Sequence, residues 1–268
     1  LKTALAISGA GARIIVEAGM LKAWSELGLK YDYLLGTSSG ALAAAMLHAG
    51  QLKDLLDLCM TIRNDDVYDL DVLKTWTSEA CVYDNHHLRR TIKQHLNFQA
   101  LRANKTPCII NATDIVKWQT KQFVLNELSD DDIVSALIYS TSVPVAFPQH
   151  DGLVDGALID NYPIYDALSD HVDRIVLISA STPEPRAIKN VADIIDVTIS
   201  LLLYNQLSVA KRAVAIFNSP VDLIVVEPQS PTGIPLLGFS DLGDKIKRAG
   251  YIEWGYQLGM AKLKDLKV

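Results

Sequence analysis

The sequence predicts an α/β fold, a mainly parallel central sheet with helices on both faces. Three observations predict it. Short apolar runs of strand character alternate with helix-like runs, the order that builds a parallel sheet covered by helices. Two glycine-containing loops, at residues 8–13 and 36–40, each join a predicted strand to a predicted helix, and they lie about 27 residues apart, in the range of one βαβ unit. Hydrophobic residues make up 49% of the 268 and charged residues 21%, enough apolar material for a large core.

The elements follow in order. Residues 3–7 are a short apolar run ending at Ser8-Gly9 and read as the first strand. Residues 14–27 read as a helix, with Ile14, Ala18, Leu21 and Trp24 on its apolar positions and Gly28 as its stop. Residues 33–35 give a second short strand. Residues 39–48, rich in Ala and Leu and followed by Gly50, predict a buried helix. Further strands are expected at 108–112, 121–125, 174–179 and 222–226. Further helices are expected at 52–62, 87–96, 131–139, 191–217 and 242–263. Residues 181–185 and 228–239 read as loops; the second carries Leu236, Leu237 and Phe239, which either meet lipid or tuck back on the core. Residues 64–85 and 228–239 are candidate lids. No repeat, low-complexity segment or linker divides the chain, so residues 1–268 are expected to form one domain.

Charge and cysteine content narrow the function. A net charge of −6 argues against a nucleic-acid partner, because no broad basic face is on offer for phosphates. The small basic groups Arg89, Arg90, Lys93 and Lys245, Lys247, Arg248 read as solvated helix faces. Cys59, Cys81 and Cys108 form no CxxC pair and suggest neither a zinc site nor a redox motif. Reduced thiols fit a cytoplasmic protein. The chain starts at Leu1 without Met and reaches strand-like sequence at once, which fits a missing N-terminal stretch or a deliberately trimmed chain. No signal-peptide pattern and no transmembrane-length apolar run is visible.

The sharpest chemical signal is Gly36-Thr37-Ser38-Ser39-Gly40, a G-x-S-x-G pattern between a strand and a small-residue helix. A nucleophilic serine on a tight turn needs small neighbours, and its hydroxyl then projects at a helix N-terminus where developing negative charge is favoured. The loop Ser8-Gly9-Ala10-Gly11-Ala12-Arg13 follows the first strand. Its successive amides, those of Gly9, Ala10, Gly11 and Ala12, are the expected oxyanion donors. A dinucleotide fingerprint competes weakly there, since Ile14 stands at its third glycine position and no acidic residue ends the second strand. A base is also required. None of the six histidines has a recognisable catalytic context; His150 is the most interesting, lying shortly before Asp155. Asp155 itself sits in Leu153-Val154-Asp155-Gly156-Ala157, which by itself reads as a turn.

Taken together these blocks resemble the patatin-like phospholipase family. The glycine-rich loop with its basic residue Arg13, the elbow around Ser38, the segment Ser142-Val143-Pro144-Val145-Ala146-Phe147-Pro148 and Asp155-Gly156-Ala157 occur in the family's order, and the likeness is good over residues 3–165. The resemblance implies a patatin-like three-layer sandwich. It implies a Ser–Asp dyad of Ser38 and Asp155, with Arg13, Gly36, Gly40 and Gly156 as supporting motif residues. The implied activity is hydrolysis of phospholipid, lysophospholipid or acylglycerol esters, with no metal and no cofactor, on a lipid or ester substrate at a membrane surface. Such a dyad requires Asp155 to be desolvated, because a free Asp, with a pKa near ~3.9, is a feeble base for a hydroxyl.

Three residues depart from the family pattern: Ala10 and Ile14 stand where glycine is usual, and Tyr139 where a small residue is. If position 14 needs a positive φ, β-branched Ile reshapes the oxyanion hole; alternatively Ile14 narrows the acyl pocket. The competing reading is therefore a site remodelled, naturally or by engineering, that binds lipid or another ligand without efficient turnover. The pair His86-His87 suggests no role.

Overall fold

Strands with apolar residues on both faces must be covered on both sides, and the chain does this with helices drawn from its whole length. The computed structural model describes residues 1–70, 81–169, 171–182, 184, 187–189, 191–216 and 221–266. In chain order the strands are β1 (Thr3–Ile7), β2 (Tyr33–Thr37), β3 (Asp69–Leu70), β4 (Tyr83–Asp84), β5 (Cys108–Asp114), β6 (Gln119–Val124), β7 (Leu153–Asp155), β8 (Arg174–Ile178) and β9 (Asp222–Val226). The helices are α1 (Ile14–Glu26), α2 (Ser39–His48), α3 (Leu52–Thr61), α4 (His86–His95), α5 (Phe98–Ala103), α6 (Asp130–Thr141), α7 (Ile164–Ser169), α8 (Val191–Ile216) and α9 (Lys245–Leu263).

The main sheet has the order β6-β5-β2-β1-β8-β9, with β7 also paired to β5. The β5–β2, β2–β1, β1–β8 and β8–β9 pairs are parallel, while β6 and β7 run antiparallel to β5. The side chains alternate as the pleat demands. Leu5, Ile7, Leu34, Val176 and Ile178 enter one core with residues of α1, α2, α3 and α9. Ala4, Ala6, Leu35, Ile175 and Leu177 enter the other, against Ile164 and Ala167 of α7 and Leu207, Ala210 and Val214 of α8. The mainly parallel sheet with helices on both faces is thus present.

Several boundaries moved for identifiable reasons. The last helix starts at Lys245 rather than at 242, because Asp244 caps it, its Oδ1 accepting from the Lys247 amide at 2.9 Å. Ser129 caps α6 in the same way, so that helix begins at Asp130. The six-residue helices α5 and α7 are too short to show a period, and three-residue β7 read as a turn. Loop 228–239 tucks back: Ile234, Leu236 and Phe239 are buried in it. Residues 71–80 of the candidate lid, 183 and 185 of the loop at 181–185, and Phe217 lie outside the described residues. Among the described residues no helix is long and apolar enough to cross a membrane.

Candidate active site

The sheet pairing itself brings the two chemically interesting residues together. On β5, Thr37 at the end of β2 stands opposite Asn111, and Asp155 at the end of β7 stands opposite the next residue, Ala112. Because β6 occupies the other side of β5 along residues 109–114, β7 enters end-on to β2. Two side chains 117 residues apart in sequence therefore meet, with Ser38 Oγ donating to Asp155 Oδ2 at 2.6 Å.

Ser38 sits at φ 55°, ψ −127°, between β2 and α2. A non-glycine residue there is strained, and the surroundings hold it. The Ser38 amide donates to Ser140 Oγ at 2.9 Å. Gly36 and Gly40 are required by close approach, since a methyl on Gly40 would overlap the Ser8 and Ile7 carbonyls and one on Gly36 would meet the Gly40 carbonyl oxygen. Gly156 likewise lies against the Asn111 carbonyl. Asp155 is 2% exposed. Its Oδ1 accepts from the Ala157 amide at 2.8 Å, and its own amide donates to the Ser142 carbonyl at 2.8 Å. Burial pushes the carboxyl up to about 7, partly opposed by the Ser38 and Ala157 hydrogen bonds.

The glycine loop divides the four expected oxyanion donors, and three need correcting. The Gly9 amide donates to Asn161 Oδ1 at 2.8 Å, that of Ala10 to Ser39 Oγ at 2.9 Å, and that of Ala12 to the Leu236 carbonyl at 2.7 Å. Those three amides position the loop. Gly11, at φ 55°, faces the cavities beside Ser38, and its amide has no hydrogen-bond partner among the described residues. The Ser39 amide, at the first position of α2, is likewise without one and adjoins Ser38. The sequence reading missed it, as it missed Asn161, whose side chain grips both the amide and the carbonyl of Gly9. Nothing in the residues around Asn161 marks its partner.

The departures from the family pattern prove harmless to the loop's geometry. Ile14 is right-handed helical (φ −49°) and Ala10 has φ −142°, so neither position needs glycine. Ile14 instead lines the cavity wall. Tyr139 does not line the site. It packs near Phe123 and His150 and donates to Asp151 Oδ2 at 2.9 Å. His150 meets Asn85 Nδ2 at 3.4 Å. His86 pairs with Asp84 at the start of α4.

Arg13 is buried, donating from Nε to the Ile234 carbonyl (2.8 Å) and from Nη2 to Ser200 Oγ (3.0 Å), with Glu184 4.0 Å away. It ties the loop to α8 and to residues 232–234. Buried Glu17, one turn into α1, accepts from Ser8 Oγ (2.8 Å) and the Ala180 amide (2.9 Å). Burial raises its carboxyl to about 8, so it carries a proton at neutral pH.

Two cavities, of about 120 and 100 Å³, meet at Ser38 and share Gly11, Val143 and Leu237 as walls. The first follows one face of α2 through Leu42, Ala45 and Met46 and ends near Leu96 and His95, whose carbonyl is held by Gln51 just beyond α2. The second lies between Asp155, Leu158 and the α8 residues Ile199, Leu202 and Leu203. Both are lined chiefly by apolar side chains. A strained hydroxyl, a raised carboxyl, one open amide in the glycine loop, another at the N-terminus of α2 and two apolar lobes are thus gathered at one point.

Fold and site thus define an α/β protein that sets an elbow serine against a buried aspartate. The chain belongs to the patatin-like phospholipase family, whose model matches residues 5–168. Lipid ester hydrolysis is the general activity that membership supports. Among solved structures, VipD from Legionella pneumophila is similar over 98% of this chain and 66% of its own, at 14% identity and a TM-score of 0.49. The type III effector protein ExoU is similar over 98% of this chain and 53% of its own, at 15% identity and a TM-score of 0.45. The chain therefore spans just under two thirds of the first and about half of the second. No curated protein matches it.

Proposed function

We propose that the chain cleaves the acyl esters of lipids through a covalent acyl-serine, with Ser38 as nucleophile and Asp155 as base. The observation that carries this reading is the 2.6 Å hydrogen bond from Ser38 Oγ to a desolvated carboxylate at the junction of two apolar lobes. Asp155 takes the hydroxyl proton as Oγ bonds to the ester carbon. The Gly11 and Ser39 amides hold the resulting oxyanion, helped by the N-terminus of α2. Collapse breaks the carbon–oxygen bond, and Asp155 returns the proton to the leaving alcohol. The same carboxylate then takes a proton from water as the water oxygen bonds to the acyl carbon, and gives it to Ser38 Oγ as the acyl–serine bond breaks and the fatty acid leaves.

The first lobe suits the scissile acyl chain. From Ser38 to Met46 is about 12 Å along α2, and an extended chain advances about 1.2 Å per bond, so about ten carbons fit beside that helix. We further read residues 1–268 as one domain, a reading supported by β8 and β9, which lie beyond the matched residues yet extend the same sheet.

A fluorophosphonate probe tests the assignment. It is expected to label Ser38, located by peptide mass spectrometry, and Ser38→Ala is expected to abolish both labelling and ester hydrolysis. Labelling or turnover that survives Ser38→Ala rejects the reading.

A further inference from the structure

The turn joining β5 to β6 is apolar where a solvent-exposed turn is ordinarily polar. Ile115, Val116 and Trp118 are 43%, 76% and 87% exposed. Trp118 is held at φ 56°, where a bulky side chain is strained and Asn or Gly would be at ease. The turn is well braced, with Asp114 Oδ1 accepting from the amides of Val116 (3.0 Å) and Lys117 (2.9 Å). The chain thus holds a large apolar ring in water on a firm support, an arrangement that folding alone does not reward.

Topology places this tip beside the candidate site. β5 and β2 run parallel with Thr37 opposite Asn111, so Asp114 lies three residues, about 10 Å, beyond the end of β2 that carries Ser38. The Ile115 amide donates to the Gly152 carbonyl at 3.0 Å, and the turn at 150–153 leads straight into β7 and Asp155. Exposed apolar residues occur along the segments that line the site: Val145 follows cavity-lining Pro144, Ile159 follows the turn after Asp155, and Leu202 is itself a wall of the second lobe. Lys117 and Lys121 are exposed on the same hairpin.

We propose that this hairpin tip is the element by which the chain docks on a lipid bilayer. Val116 and Trp118 enter the headgroup region, and Lys117 and Lys121 meet lipid phosphates. The proposal rests on the reading of the site as a lipid ester hydrolase. A bilayer fits better than a protein partner on three counts. An indole is at home at a membrane–water interface. The flanking lysines suit a phosphate layer. The hydrocarbon that would fill the two lobes resides in bilayers. The chain's net charge of −6 provides no general attraction to an anionic surface, so the apolar tip carries most of the affinity, and binding persists on uncharged phosphatidylcholine.

The test uses the Ser38→Ala chain, which separates binding from turnover, in flotation with phosphatidylcholine vesicles with and without phosphatidylserine. Trp118→Asn with Val116→Ser is expected to lower vesicle partition by about tenfold or more. In the Ser38 chain, the same pair leaves hydrolysis of a water-soluble short-chain ester unchanged and lowers hydrolysis of vesicle lipid. Asn suits the left-handed backbone at 118, so the variant keeps its turn, which circular dichroism and the soluble-ester rate verify. Vesicle partition that is absent, or unaffected by the substitutions, overturns the proposal. So does vesicle-free self-association that these substitutions abolish, because the tip is then a contact between copies of the chain. Tip-dependent vesicle binding without hydrolysis of any ester upholds the docking surface and rejects the hydrolase reading.

Discussion

At the scale of single residues the decisive quantity is the cost of burying a carboxylate beside Ser38. Asp155 carries its proton up to about pH 7 because water is excluded from it. If it serves as base, kcat/KM on a soluble ester rises with pH and levels off above about 7, falling about tenfold per pH unit below. The same burial opposes folding once the group ionises. Its folded-state value lies above the ordinary 3.8, so the stability it allows is complete below that value and is lost as pH climbs to about 7. Asp155→Asn is therefore expected to abolish turnover and yet to stabilise the fold at pH 8 by roughly 2–4 kcal/mol. Denaturant midpoints at pH 5 and pH 8 check this; a variant no more stable than the parent at pH 8 contradicts it. Ser38 and Asp155 were both legible from their motifs. Asn161 was not, because a hydrogen bond across 152 residues leaves no local pattern; nor was the Ser39 amide, whose freedom depends on no distant segment placing an acceptor against it.

At the scale of elements, α2 is both the mount for Ser38 and the wall of the first lobe. Its small residues let Ala41, Ala43 and Ala44 pack inward while Leu42, Ala45 and Met46 face the cavity. Met46 stands at the far end of this row, so Met46→Trp is expected to shorten the lobe. Hydrolysis of dodecanoyl esters then drops about tenfold relative to butanoyl esters, read as the ratio of kcat/KM values. An unchanged ratio means that acyl chains do not run along α2. Helix existence was legible here from composition, whereas the row facing the cavity depended on where α3, α4 and α6 pack. The short elements α5, α7 and β7 escaped notice because three to six residues cannot display a period.

At the scale of the whole molecule, one buried acid joins two neighbouring strands of the sheet, β1 and β8. Glu17 accepts from Ser8, which follows β1, and from Ala180, just beyond β8. Burial holds its carboxyl near 8 against an ordinary 4.5. The unfolded chain releases this proton above about pH 4.5 and the folded chain keeps it to about 8, so stability declines across that interval as pH rises. Glu17→Gln, which keeps an acceptor for both donors without the charge, is expected to flatten the decline, leaving the part due to Asp155. Thermal unfolding followed from pH 5 to pH 8 tests it; an equally steep loss in the variant places the titration elsewhere.

The sequence by itself determined the order of the longer strands and helices, the parallel sheet with two covered faces, and the positions of a serine elbow and an Asp-Gly turn. Those are local properties: apolar periodicity, small residues at a tight bend, and caps within a few residues. Only the tertiary structure decided that β7 abuts the end of β2, that three of the four loop amides are spent on Asn161, Ser39 and Leu236, and that Tyr139 lies away from the cavities. The physical reason is that each depends on which distant segment occupies a given space. Sheet register and side-chain packing settle that together, and no window of neighbouring residues contains the information.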